Sequence, residues 1–393
     1  MNNNFDDIRP FAPDELPAVY DRLLADQQFR SVLAYLYPGV AIDDIAVKMH
    51  GCKTNLEFQK AFCYPFLKNL MQKASKGLEM DFTAVDRSRC YTFVSNHRDI
   101  VLDSALLDVL LFDAGFTTTA EIAIGDNLLK LPWVKDLVRV NKSFIVERSL
   151  PPRQMLMASA RLSSYMHYAI GEKNENIWIA QREGRAKDSN DRTAPAILKM
   201  MAMGGEGTPL ERLRSLHIVP LSISYEYDPC DFLKAREMQQ RRDNADFKKG
   251  PMDDVVSMRT GIMGYKGRVF YRSAPCIDEW LASIDGTTAK NDLFDLVASH
   301  IDQAIFRGYQ VYPVNAVALD ILLDSGQLPA AEGLKVPSGL YTQADKDAFE
   351  QYLSAQMAKI ELPQPDLPFL RMQMLKMYAN PYLNYLSATQ HEQ

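Results

Sequence analysis

The stretch RCYTFVSNHRDIVLDSALLDVLL, residues 89–111, changes its hydrophobic period midway. Tyr91 to Val94 is aromatic and β-branched, without Gly or Pro, as a short strand is. Leu102, Leu106, Val109 and Leu110 then recur at helical spacing. Between the two halves stand Ser95, Asn96, His97, Arg98 and Asp99, with Asp103 in the first helical turn. An imidazole delivered at a strand end beside a carboxylate can serve as a general base. The carboxylate accepts from one ring nitrogen, fixes the tautomer and stabilises the imidazolium that forms. A plainer account fits the same residues: Asp103 favours the positive end of the helix, and His97 is a satisfied loop side chain.

The alternation continues on both sides of this stretch. Further strands are expected at Thr117–Ala123, Ser143–Val146, Asn176–Ala180, Ile218–Ser222 and Arg268–Arg272. Helices are expected at Val101–Phe112, Asp126–Val138, Pro151–Ile170 (with Ser149 as its cap) and Arg192–Met203. Strand and helix in turn predict an α/β fold, a mostly parallel mixed sheet flanked by helices. Ligand sites of such sheets lie past the carboxyl ends of the strands, where His97, Glu147, Arg148, Glu183 and Arg185 all fall. Residues 1–80 read as a helical N-terminal region, 81–275 as the α/β domain, and 276–393 as a helical C-terminal region packing on it.

Composition narrows the function classes. The 393 residues are 47% apolar and 24% charged, as in a globular protein, and the formal charge of −6 gives no general reason to expect nucleic acid. Five scattered cysteines without a C-x-x-C pair argue against a disulfide framework or a zinc site and fit a reducing compartment. The polar start lacks the regions of a signal peptide, and no window reaches the roughly 18 apolar residues of a membrane span. The expectation is a cytoplasmic protein, soluble or peripheral on the inner face of the membrane.

Three more clusters bear on chemistry. Phe144-Ile145-Val146-Glu147-Arg148-Ser149 is a strand ending in an arginine before a helix start, which suits a phosphate clamp or an ordinary surface ion pair. Residues 177–188, IWIAQREGRAKD, run from a buried-looking strand into a turn with Arg182, Arg185 and Lys187 around Gly184. Three cations on one turn repel unless an anion joins them, although Glu183, Asp188 and Asp191 are near in sequence. Residues 217–226, HIVPLSISYE, form an apolar strand with Pro220 inside, which suggests an edge or a bulge.

Taken in order, these four pieces resemble the glycerolipid acyltransferase superfamily, which includes glycerol-3-phosphate and lysophosphatidate acyltransferases. Ser95-Asn96-His97 matches the first motif, Phe144, Ile145 and Arg148 the second, Glu183-Gly184-Arg185 the third, and Ile218, Val219 and Pro220 the fourth. The likeness spans about residues 85–230. It departs in two places. Five residues, where the motif has four, separate His97 from Asp103, with Asp99 a rival partner, and a residue is missing between Gly184 and Arg185 relative to the commonest third motif.

The resemblance implies acyl transfer from an acyl carrier protein or coenzyme A thioester, as co-substrate, to a hydroxyl of glycerol-3-phosphate, lysophosphatidate or a related polar-headed lipid. It implies His97 and Asp103 as the catalytic pair. Arg148, Glu183, Gly184, Arg185 and Lys187 would surround the acceptor's phosphate, and Pro220 would line an acyl groove. No metal or redox cofactor is required. A non-catalytic lipid- or partner-binding module on the same fold is the alternative; a thioesterase or lipase fits less well, since no G-x-S-x-G turn is present. A membrane surface is an expected partner, touched either by the basic run Lys234–Lys249 or by the amphipathic tail Phe369–Leu386.

Overall fold

The computed structural model describes residues 5–148, 150–250, 252–286, 288–328 and 334–389. Ser149, the expected cap, lies outside the described residues. The chain opens with α1 (Leu16–Ala25), α2 (Gln27–Leu36), α3 (Ile42–Gly51), the short α4 (Asn55–Phe58) and, after one π turn, α5 (Tyr64–Ala74). The sheet elements follow: β1 (Gly77–Asp81), β2 (Thr92–Ser95), α6 (Leu102–Ala114), β3 (Ala120–Gly125), α7 (Pro132–Val140), β4 (Ser143–Val146), α8 (Pro152–Gly171) and β5 (Asn176–Ala180). Then come α9 (Pro195–Met201), α10 (Pro209–Arg214), β6 (Ile218–Tyr225), α11 (Asp231–Asp243), α12 (Asp253–Met263) and β7 (Arg268–Ser273). The chain closes with α13 (Asp278–Ala282), α14 (Lys290–Arg307), α15 (Pro313–Asp324), α16 (Gln343–Met357) and α17 (Leu367–Thr389).

The seven strands form one sheet in the order β1-β7-β6-β2-β5-β3-β4. All neighbours are parallel except β6 and β7, so β1 and β7 run against the other five strands. This is the expected mostly parallel mixed sheet with helices on its faces. Alternate side chains of β2 feed opposite faces, as the strand period requires. Phe93 packs with α5 and α6, while Val94 packs with α8, α9 and α14. Helix α6 lies under the sheet with Leu106, Leu107, Asp108 and Leu111 all buried, which explains why its apolar stripe nearly encircles it. A separate core joins α11 to α15, α16 and α17.

Several expectations are corrected here. The span expected as one helix over Asp126–Val138 is a 3-10 turn at Asp126–Leu128 and then α7, which starts at Pro132, where a missing N–H is tolerated. Strand β1, half-buried at the sheet edge, was not expected: GLEMD alternates Leu78 and Met80 with Glu79 and Asp81, but the run is short, opens on a glycine and has no β-branched or aromatic residue. Pro220 lies on neither an edge nor a bulge: β6 is interior, and Pro220 pairs in register with Val94 of β2. It is tolerated because it stands just outside the β6–β7 ladder, which begins at Leu221 opposite Ser273.

The two expected membrane segments are also accounted for otherwise. The basic run begins inside α11, where Lys234 is buried, and acids neutralise most of the rest: Arg236 pairs with Asp253, Arg241 with Glu237, Arg242 with Asp243 and Asp366, and Lys249 with Asp254. The tail is α17, whose Leu370, Met374, Leu375, Met377, Tyr378 and Tyr382 are buried against the C-terminal core. Among the described residues, no helix is long and apolar enough to cross a membrane.

Candidate active site

The site is built at the carboxyl end of β2. The Asn96 side chain continues the ladder past the strand: its Nδ2 donates to Ile223 O (2.9 Å), and its Oδ1 accepts from Ile223 N (2.8 Å). Trp178 of β5 donates from Nε1 to Ser95 Oγ (3.0 Å), and its ring meets the His97 ring edge-on at 5.6 Å. Backbone and ring of His97 are therefore set by the strands on both sides.

The His97 Nδ1 donates to Asp103 Oδ2 at 2.7 Å. A carboxylate only accepts, so Nδ1 carries the hydrogen and the lone pair is left on Nε2. Asp103 is fully buried, and the same oxygen accepts from the backbone N–H groups of Arg98 (2.6 Å) and Asp99 (3.0 Å). Asp99 has another task. Its Oδ1 accepts from the N–H groups of Val101 (2.9 Å) and Leu102 (2.8 Å), which closes the start of α6. The turn at Asp99–Val101 takes up the extra residue between His97 and Asp103. Burial, and then the neighbouring Asp103, push the Asp99 carboxyl above its ordinary value.

The loop is buttressed from behind. Arg98 is buried and pairs with Asp191 at 2.7 Å, while Tyr309 donates to the same Asp191 oxygen (2.6 Å). The Arg98 carbonyl accepts from Lys234 Nζ (3.2 Å), which also pairs with Asp228. Asp231, at the start of α11, accepts from Tyr378 of α17 (2.7 Å), Tyr352 of α16 (2.9 Å) and Gln356 of α16 (2.6 Å). Burial raises the Asp231 carboxyl to about 7. Gly261 of α12 lies so close that an added Cβ would sit 1.8 Å from Asp99 Oδ2.

The remaining predicted residues are distributed as follows. Arg148 follows β4, donates from its backbone N to Asp126 Oδ1 (3.2 Å) and reaches Glu183 at 3.5 Å. Gln181 N donates to Ser95 O (2.8 Å), so the loop carrying residues 182–188 starts beside the His97 turn. Gly184 has φ +67° with open space around it, the left-handed conformation that favours glycine. Arg185 is half-buried, its Nη1 is enclosed without a hydrogen-bond partner, and its charge lies close enough to Asp99 to oppose slightly the rise that burial and Asp103 impose on that carboxyl. Lys187 is drawn away to Glu237 of α11 (2.9 Å). Pro220 is enclosed in the sheet interior. Thus the arrangement joins His97 to Asp103 and Arg148 to Glu183. Arg185 lies near Asp99, and Lys187 is engaged elsewhere. Sequence reading named Trp178, Asn96 and Lys234 without giving them these roles behind His97, and did not single out Gly261. Only the first had a local signal, as the one large aromatic in a strand that ends at the charged loop.

A second histidine–carboxylate cluster lies at the opposite rim. His217, Cys276 and Asp278 bring potential metal ligands within 4.8 Å of one another. His217 Nδ1 is already bonded to Asp278 at 2.6 Å, and Arg89 lies 3.4 Å from the ring and 3.8 Å from the carboxylate. Burial also raises the Cys276 thiol to about 12. A neighbouring guanidinium and a reluctant thiol suit a neutralised ion pair better than a cation.

No family model matches the sequence, and no curated protein matches it. Among solved structures, the chain is similar to the crystal structure of the 1-acyl-sn-glycerophosphate (LPA) acyltransferase PlsC from Thermotoga maritima, with TM-score 0.38 and 12% identity over 75% of this chain and 96% of that one.

Proposed function

We propose that this chain is an O-acyltransferase that moves a fatty acyl group from an acyl carrier protein or coenzyme A thioester to a hydroxyl of glycerol-3-phosphate, lysophosphatidate or a related polar-headed lipid. What carries the reading is the single hydrogen bond from His97 to a fully buried Asp103 at the carboxyl rim of the sheet. That bond leaves a basic Nε2 on a ring whose second nitrogen is committed. In the reaction His97 Nε2 takes the proton of the acceptor hydroxyl as its oxygen attacks the thioester carbonyl. The new C–O bond forms, the C–S bond breaks, and the thiolate leaves with the proton that the imidazolium returns. Asp103 orients His97 and stabilises the imidazolium.

Arg148 and Arg185, on the loops after β4 and β5, are the groups to hold the acceptor's anion. The enclosed, unpartnered Nη1 of Arg185 supports this, because a buried donor without a partner is costly until a ligand satisfies it. Glu183 positions Arg148, and Gly184 leaves the approach open. The structural placement favours a lesser role for Lys187 and Pro220. The test is to mix the purified chain with acyl carrier protein and coenzyme A thioesters and a panel of acceptors, then identify products by mass spectrometry. A new ester on a phosphate-bearing acceptor is expected. Release of free fatty acid alone, or no turnover with any donor, would refute the reading.

A further inference from the structure

An exposed large apolar side chain is ordinary when it stands alone, but a group of them on one helix needs a partner. Among the described residues, five of the fourteen exposed large hydrophobics fall within residues 252–265: Met252, Val255, Val256, Met263 and Tyr265. Met252, Val255, Val256, Arg259 and Met263 recur at three- to four-residue steps, so they share the outer side of α12. The inner side holds Ser257 and Gly261, the latter against Asp99 beside the candidate base.

The charges sort in the same way. Asp253 and Asp254 at the start of α12 are neutralised by Arg236 and Lys249. Arg259 is exposed on the same side of the helix, and Lys248 is exposed in the segment that precedes it. The helix is also held rigidly. Lys266 Nζ donates to the carbonyls of Ile262 (3.0 Å) and Gly264 (2.6 Å), and Cys230 donates to Ser257 O (3.3 Å). An apolar stripe that carries an exposed arginine, with an exposed lysine just ahead of the helix, is the make-up of an interfacial segment on an anionic lipid surface.

We infer that the outer side of α12 is the surface on which this chain rests against an anionic phospholipid bilayer, with the His97 turn packed behind the same helix. The inference rests on the acyltransfer reading for its purpose, though not for its observations. The other two segments expected to touch a membrane offer less, since the apolar face of α17 is buried and most of the cations of the basic run are paired.

The test is sedimentation with phosphatidylcholine vesicles, with and without phosphatidylglycerol, of the wild type, Val255→Asp/Val256→Asp and Arg259→Glu. Both valines are exposed, and circular dichroism checks that the double variant folds. The wild type should sediment with the phosphatidylglycerol vesicles. The double variant should lose at least about tenfold in binding, and Arg259→Glu should weaken binding only to the anionic vesicles. Transfer from a coenzyme A thioester to glycerol-3-phosphate, which needs no vesicle, should stay near the wild-type rate in both variants. A wild type that stays in the supernatant, or variants that bind as the wild type does, would overturn the inference. So would variants that lose acyl carrier protein while keeping vesicles. If transfer fails in every form but vesicle binding still depends on α12, the acyltransfer reading falls and this surface stands.

Discussion

Two histidines of this chain hold an aspartate through Nδ1, at 2.7 Å for His97–Asp103 and 2.6 Å for His217–Asp278, yet their surroundings differ. Asp103 is completely buried, holds two backbone N–H groups as well as the ring, and has no arginine hydrogen-bonded to it. Asp278 keeps about a fifth of its side chain exposed, and Arg89 approaches both it and the ring. The first carboxylate can answer a charge that forms on its imidazole. The second has its charge answered already. A short His–Asp hydrogen bond is therefore a poor marker of a general base by itself; what separates the two is what else each carboxylate must serve.

The largest expected effect tests that contrast directly at the carboxylates. Asp103→Asn should reduce acyl transfer on the order of 10²–10⁴-fold, the usual worth of a positioned base. Asp278→Asn should leave the rate unchanged in the same assay, and equal losses would erase the distinction. Next in size, Arg185→Ala should raise KM for a phosphate-bearing acceptor about 10- to 100-fold, as loss of a charged hydrogen bond does. The kinetics of an acceptor without phosphate should not move.

A third experiment probes the support behind His97. The Asp231 carboxyl sits at about 7 in the folded chain, against an ordinary value of about 3.9 unfolded. Between those values the native state binds more protons, so stability falls as pH rises from about 4 to 7 and stays lowered above. Asp231→Asn should flatten that fall, by a few kcal/mol at most, in urea unfolding across pH. A slope unchanged by the substitution would remove Asp231 from the account. The smallest effect is expected for Gly261→Ala. The added methyl meets Asp99, which two backbone N–H groups hold in place, and overpacking of this kind costs about 1–3 kcal/mol. Urea midpoints measure it, and a neutral result would show that the His97 turn is looser than its packing implies.

Much of the sheet was legible because its strands are short apolar runs with clear boundaries. Ser143–Val146 and Asn176–Ala180 fall on the strands as read. The turn from Ser95 to Asp103 was legible as well, since its chemistry is local. What escaped notice depends on distant partners. Helix α11 buries Asp231, Lys234 and Gln239, so it has no apolar period to detect, and its lysine looked like surface charge. The tail showed an amphipathic pattern, but a pattern cannot tell whether lipid or α15 will cover it. Pro220 suggested an edge because a proline costs one ladder bond; the sequence could not reveal that the neighbouring ladder stops one residue away. Gly261 carries no signal of its own, since its meaning lies in how closely α12 approaches Asp99.

The most direct measurement compares His97→Ala with His217→Ala for transfer from an acyl thioester to glycerol-3-phosphate, with thermal unfolding run alongside. We expect the first to be folded and nearly silent, down on the order of 10²–10⁴-fold, and the second to match the wild type. A folded, fully active His97→Ala would contradict the account.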